Sequence, residues 1–112
     1  MIIYKIATVA QWRAAEAVGV FKGAPIDLAD GYIHFSTGAQ VAETLAKHFA
    51  GQPELLLVSV ESDSFGAALR WEVSRGGELF PHLYATLPVS SVLAVQEILV
   101  GLDGRHVLDG ID

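Results

Sequence analysis

The run Leu55-Leu56-Leu57-Val58-Ser59-Val60 constrains this chain more than any other stretch. A strand with one wet face alternates apolar and polar residues. This one does not, so it reads as an interior strand that needs cover on both faces. A chain of 112 residues can supply that cover as one domain, 1–112, because it buries roughly two-thirds of its unfolded surface. It has to do so without staples. Cysteine is absent, which removes disulfides, thiolate catalysis and cysteine metal sites together.

The remaining pattern supplies the covering elements. Met1 to Ile6 is β-branched and aromatic and reads as a first strand. Thr8 with Gln11 has the form of a capping box, opening a helix over Val9–Val18 that Gly19 closes, with Trp12, Ala15 and Val18 on its apolar face. Phe21 to Asp30 carries Gly23, Pro25 and an Asp-Gly turn signal and reads as a loop. Thr37 with Gln40 forms a second capping box, and a helix follows to about Ala50 with Val41, Leu45 and Phe49 as its buried stripe. Gly51 and Pro53 end it. Ser62 to Leu69 is ambiguous, at most a helical turn. Arg70–Ser74 and Glu78–Phe80 read as a hairpin about Gly76-Gly77. Pro81 and Pro88 bracket His82-Leu83-Tyr84, which reads as an ordered loop. Val92–Val100 is a strand, and Asp103-Gly104 is a two-residue turn into a return strand over Arg105–Leu108. Two early helices and several late strands predict an α+β fold, a twisted and mostly antiparallel sheet with two helices packed on it.

The chemistry concentrates in Asp30-Gly31-Tyr32-Ile33-His34-Phe35-Ser36-Thr37-Gly38. On a strand, Tyr32, His34 and Ser36 share one face, while Ile33 and Phe35 turn to the core. His34 is then either a ligand-binding or acid–base group on a cleft, or a half-buried imidazole satisfied by its neighbours. Tyr32 either packs or stacks on a flat ligand. Ser36 is either a ligand contact or a competitor for the helix cap. The free N–H groups of the helix that follows favour an anion near Thr37 and Gly38. His82 and Tyr84 are in phase on a rigid segment, and Arg70 and Glu72 share a face as an ion pair or as cleft residues. His34, His82 and Glu72 are the ligand types of a zinc site. No histidine pair has the short spacing of such a site, so no metal is expected. His48 and His106 read as surface residues. No serine-nucleophile elbow or nucleotide-binding glycine loop is present.

The net charge of −6, with seven scattered Lys and Arg, argues against DNA or other nucleic acid as a partner. The first residues lack the pattern of a signal peptide, and no uncharged apolar run approaches about 18 residues. A soluble, cytoplasmic protein with no membrane association is expected. The 52% hydrophobic and 18% charged composition is that of an ordered domain. The oligomeric state is not legible.

Two separated motifs carry a family resemblance. Asp30 to Thr37 resembles the "GFIHCS" core of the domain-of-unknown-function 952 family, continued by Gln40 and Thr44. Gly77-Glu78-Leu79-Phe80-Pro81-His82-Leu83-Tyr84 resembles its "GE-x-FPHLY" motif. Ile3-Tyr4-Lys5-Ile6 with Trp12, Leu55 to Val58 and Trp71-Glu72 extend the likeness over roughly residues 2–95. Phe35 stands where the family usually has cysteine. The resemblance implies a split sheet similar to that of ADP-ribosyltransferases and RNA 2′-phosphotransferases, with NAD or another nucleotide-like ligand in the cleft. In that frame His34 contacts the ribose or nicotinamide, and Tyr84 or Tyr32 stacks on the ring. Glu72, or less favourably Glu97, stabilises an oxocarbenium-like transition state. The implied site is catalytic His34, Glu72 and His82, with Tyr32, Ser36, Thr37, Gly38, Arg70 and Tyr84 binding NAD as substrate. The alternative is a non-catalytic binding or protein-interaction module.

Overall fold

The computed structural model describes residues 1–108, 110 and 111. Its largest sheet is built on β5 (Leu55–Glu61), which lies between β1 (Ile2–Thr8) and β9 (Val92–Val100). β4 (Ser36–Thr37) pairs outside β1, and β10 (His106–Val107) outside β9. A second sheet sets β7 (Leu79–Leu83) between β3 (Ile33–His34) and β6 (Leu69–Val73). β2 (Val20–Phe21) and β8 (Leu87–Pro88) form a separate two-stranded pair. All these pairings are antiparallel.

The apolar run of β5 is covered on both faces, as its sequence requires. Leu56, Val58 and Val60 join Ile3, Ala7, Trp12, Phe21, Ile33, Phe35 and Leu83 in one core cluster. Leu55 and Leu57 join Tyr4, Ile6, Val41, Leu45 and Ile98 in the other. The even–odd division is the period-two geometry of a strand.

α1 (Val9–Val18) begins with the predicted box: the Gln11 N–H donates to Thr8 Oγ1 and Gln11 Oε1 accepts from the Thr8 N–H, each at 3.0 Å. Trp12 and Ala15 are buried as expected, but Val18, one residue before the closing Gly19, is exposed. α3 (Val41–His48) begins later and ends earlier than predicted. Only the return half of its expected box is observed: Gln40 Oε1 accepts from the Thr37 N–H, and Thr37 is paired with Ile3 in the sheet. The helix starts three residues further on, with Gln40 rather than Thr37 at its cap position.

Four further expectations are corrected. The segment read as the loop Phe21 to Asp30 contains α2 (Pro25–Asp30), so three α-helices are present among the described residues rather than two. Pro at the first helical position and Gly31 at φ 86° just past the end are ordinary helix boundaries. They read as loop signals because the helix they bound is only six residues long. Pro81, His82 and Leu83, read as part of an ordered loop, are instead the end of the central strand β7, and only Tyr84 lies beyond it. Pro81 has no N–H, yet its carbonyl still accepts from Phe35, so the ladder is maintained from one side. The strand expected over Tyr32 to Ser36 is broken at Phe35, with β3 joining the smaller sheet and β4 the larger. Residues 101–105 form the last turn, closed by the Gly101 N–H donating to the Arg105 carbonyl, which is longer than a two-residue hairpin.

Candidate functional site

The break at Phe35 creates the site. Because the chain passes from one sheet to the other there, β3, β4, β1, α3 and β7 converge around a cleft of about 510 Å³. Ile26, Phe35, Phe49 and Phe80 give it apolar walls. Asp30, Tyr32, His34, Ser36, Thr44, His48 and His82 supply its polar groups. The volume is in the range of small-molecule sites.

His34 is fixed from below by Asp27, whose side chain is 1% exposed. The imidazole Nδ1 lies 2.6 Å from Asp27 Oδ1, and the His34 backbone N–H donates to the same oxygen. Asp27 also accepts from Lys5 Nζ at 2.9 Å and 3.0 Å and from the Ala24 N–H at 2.7 Å. Burial pushes the Asp27 carboxyl up, but the hydrogen bond from His34 and the Lys5 charge outweigh it and hold its pKa at about 2. Burial pulls the Lys5 ammonium down, opposed by the Asp27 charge and hydrogen bond. Gly23 allows the approach: at φ 127°, a Cβ there would stand 2.9 Å from Asp27 Cβ.

The other face of His34 meets the cleft. Its Nε2 lies 2.9 Å from Asp30 Oδ2 at the end of α2. Two carboxylate oxygens on one ring are both satisfied only when both nitrogens donate. Tyr32 lies 4.6 Å from the His34 ring centroid, 5.2 Å from that of Tyr84, and stacks on His82 at 4.1 Å. His34 and His82 approach each other edge-on at 5.6 Å. Burial, with the nearby carboxylates of Asp30, Glu72 and Asp27, pushes the Tyr32 phenol up.

Behind His82 stands Glu72, whose Oε1 lies 2.8 Å from His82 Nδ1 and accepts from the Tyr84 hydroxyl at 2.6 Å. These two hydrogen bonds hold the Glu72 carboxyl below its usual value, and the same bond raises the Tyr84 phenol. The Arg70 guanidinium sits 4.5 Å over the Tyr84 ring.

His34, His82, Tyr32 and Ser36 are therefore brought together. Ser36 is buried beneath the cleft, with Oγ 3.1 Å from Thr44 Oγ1. Glu72, Arg70 and Tyr84 form a contiguous group that reaches the cleft through His82 and Tyr32 rather than lining it. Tyr84 instead lines an adjoining pocket of about 310 Å³, with Tyr32 common to both. Thr37 and Gly38 are outside the lining, and Glu97 is on an exposed position of β9. His48 is exposed as expected, yet it lines the cleft. Among the described residues no three of His, Asp and Glu are grouped to hold a metal ion. Likewise, no helix among them is long and apolar enough to cross a membrane.

Sequence reasoning missed Lys5, Asp27 and Asp30. Lys5 carried a signal, since strand alternation puts it in phase with Ile3 and Ala7, on a core face where a charge requires a partner. Asp27 carried none, because its segment read as a loop.

Three comparisons place this arrangement. A family model described as "Protein of unknown function (DUF952)" matches residues 6–95. The crystal structure of protein CC0527 from Caulobacter crescentus is 48% identical with a TM-score of 0.91, over 96% of this chain and 94% of that one. The solution NMR structure of CC0527 is 50% identical with a TM-score of 0.85, over 93% of this chain and 90% of that one. No curated protein matches.

Proposed function

This chain belongs to the DUF952 family, a family with no assigned role, and we propose that its cleft binds a phosphorylated nucleotide of the NAD or ADP-ribose class. One observation carries the reading. His34 and His82, 48 positions apart in the sequence, meet around Tyr32 in one cleft, with each Nδ1 held by a carboxylate. Such fixing sets the orientation of each ring, and the His34 Nε2 edge, where Asp30 now meets it, is the one turned to the cleft. Tyr32 offers an aromatic surface for a base or nicotinamide, and the apolar walls suit a flat ring. Histidines and hydroxyls suit the ribose and phosphate groups. An ADP-ribosyltransferase-like arrangement of the two sheets, with the cleft between them, belongs to the same proposal.

Glu72 favours binding over turnover. In ADP-ribosyl transfer a carboxylate must face the developing positive charge. Here the Glu72 carboxylate is taken up by His82 and Tyr84 outside the cleft lining. A binding domain whose histidines recognise rather than transform the ligand is therefore the form of the proposal that Glu72 favours. Transfer or phosphotransfer chemistry remains the extension that a turnover assay would add.

The test is a heteronuclear NMR titration with NAD, ADP-ribose and a 2′-phosphorylated nucleotide. Saturable shifts at Tyr32, His34, Ser36 and His82 are expected. They should be lost in His34→Ala and weakened about tenfold or more in Tyr32→Ala, the order of one lost stacking contact. Nicotinamide released in the NAD sample would add an enzymatic step. No shift with any of the three at millimolar concentration sinks the nucleotide reading.

A further inference from the structure

We propose that His34 Nε2 is a binding position for a phosphate-type oxyanion, and that Asp30 occupies it in the free protein as a displaceable internal substitute. The inference deepens the ligand reading above and rests on it.

The two carboxylates on His34 differ in kind. Asp27 is 1% exposed and also accepts from Lys5 and from two backbone N–H groups, so it is part of the fold. Asp30 is 42% exposed and sits on an imidazole that is itself 31% exposed. Pairs this wet contribute little and exchange readily with other partners. Asp30 is also placed against the local electrostatics. It is the last residue of α2, where exposed carbonyls disfavour a carboxylate, and it shares one imidazole with a second carboxylate. Helix stability does not account for an acid at that position. Contact with His34 does.

Both Asp30 and His34 line the cleft, as do the hydroxyl-bearing Ser36 and Thr44. A phosphate oxygen arriving at Nε2 accepts the hydrogen bond that Asp30 accepts now, at a similar distance, while the exposed Asp30 side chain turns to water. Asp27 stays in place and keeps the ring oriented. The consequence is selectivity. A small free anion gains one hydrogen bond and must displace a carboxylate to get it. A nucleotide gains the same bond together with stacking on Tyr32.

The experiment titrates inorganic phosphate and, separately, ADP-ribose into the full chain, comparing wild type with Asp30→Asn and Asp30→Ala. Imidazole ¹⁵N resonances and backbone shifts are the readouts. Both variants should bind phosphate about fivefold tighter or better, the size of a wet ion pair plus the relieved like-charge repulsion. His34 Nε2 should be the ring nitrogen that moves. ADP-ribose should gain in the same direction by a smaller factor. Unchanged or weaker affinities in both variants, with wild type still binding ADP-ribose through the cleft, overturn the substitute while leaving the ligand reading standing. If no protein responds to ADP-ribose, the ligand reading falls. A gain for phosphate in the variants would still establish the anion position, and silence toward phosphate as well would remove both.

Discussion

His34 stands directly opposite His82 in the pairing of β3 with β7, and their rings meet edge-on at 5.6 Å. Each has its Nδ1 against a carboxylate, Asp27 for one and Glu72 for the other. The carboxylates differ in depth, since Asp27 is sealed in the interior and Glu72 is 37% exposed. The expected consequences of disturbing them differ accordingly.

Replacing Asp27 by Asn strands the Lys5 ammonium, which is 6% exposed. Removing one partner of a buried pair costs about 3–5 kcal/mol, while removing both for apolar groups is often close to neutral. Asp27→Asn should therefore lower the urea midpoint steeply, and Asp27→Asn with Lys5→Met should recover most of the loss. A double variant no more stable than the single one would show that the pair is not the source.

Acid should act through the same carboxylate. A depressed folded-state pKa contributes stability that is fully present above the unfolded value and is lost as pH falls through the folded one. For Asp27 the window runs from about 4 in the unfolded chain to about 2 in the folded one. A shift of that size corresponds to roughly 2 kcal/mol. Urea unfolding of the wild type between pH 5 and 2, set against the Asp27→Asn, Lys5→Met variant, isolates it. Parallel losses in both proteins would assign the acid sensitivity elsewhere.

Glu72→Gln should leave the fold nearly untouched, because the side chain lies at the surface end of β6 and β7. Its effect should appear in Tyr84. The phenol is raised first by its hydrogen bond to Glu72, so neutralising that residue returns it toward the ordinary value of 10.0. Phenolate absorbance against pH, with Tyr84→Phe identifying the signal, measures the change. If the cleft only binds, Glu72→Gln should also keep ligand affinity within a few-fold.

The larger elements were legible because their signals are local. The β5 run requires cover on both faces, and Thr8 and Gln11 sit at the spacing of a cap. Ile33 and Phe35 alternate into the core as strand geometry demands, and each is 2% exposed. Val41 and Leu45 recur at helical spacing and are buried on one face of α3. Where two local signals competed, the sequence misled. Pro25 with Gly31 read as loop punctuation although they bound a six-residue helix. Pro81 read as a strand breaker although only its N–H was missing from the ladder.

The sequence by itself determined the fold class, the central strand and the candidate residues His34, Ser36, His82 and Tyr32. Tertiary structure alone decided that His34 and His82 face one cleft, that Glu72 supports His82 from outside it, and that Lys5 and Asp27 lie beneath. The physical reason is the range of the interactions. Capping, turn and alternation are settled within a few residues of chain. The Lys5–Asp27 pair and the Glu72–His82–Tyr84 group are energies between strands and helices distant in sequence, favourable only once burial has removed water from between them.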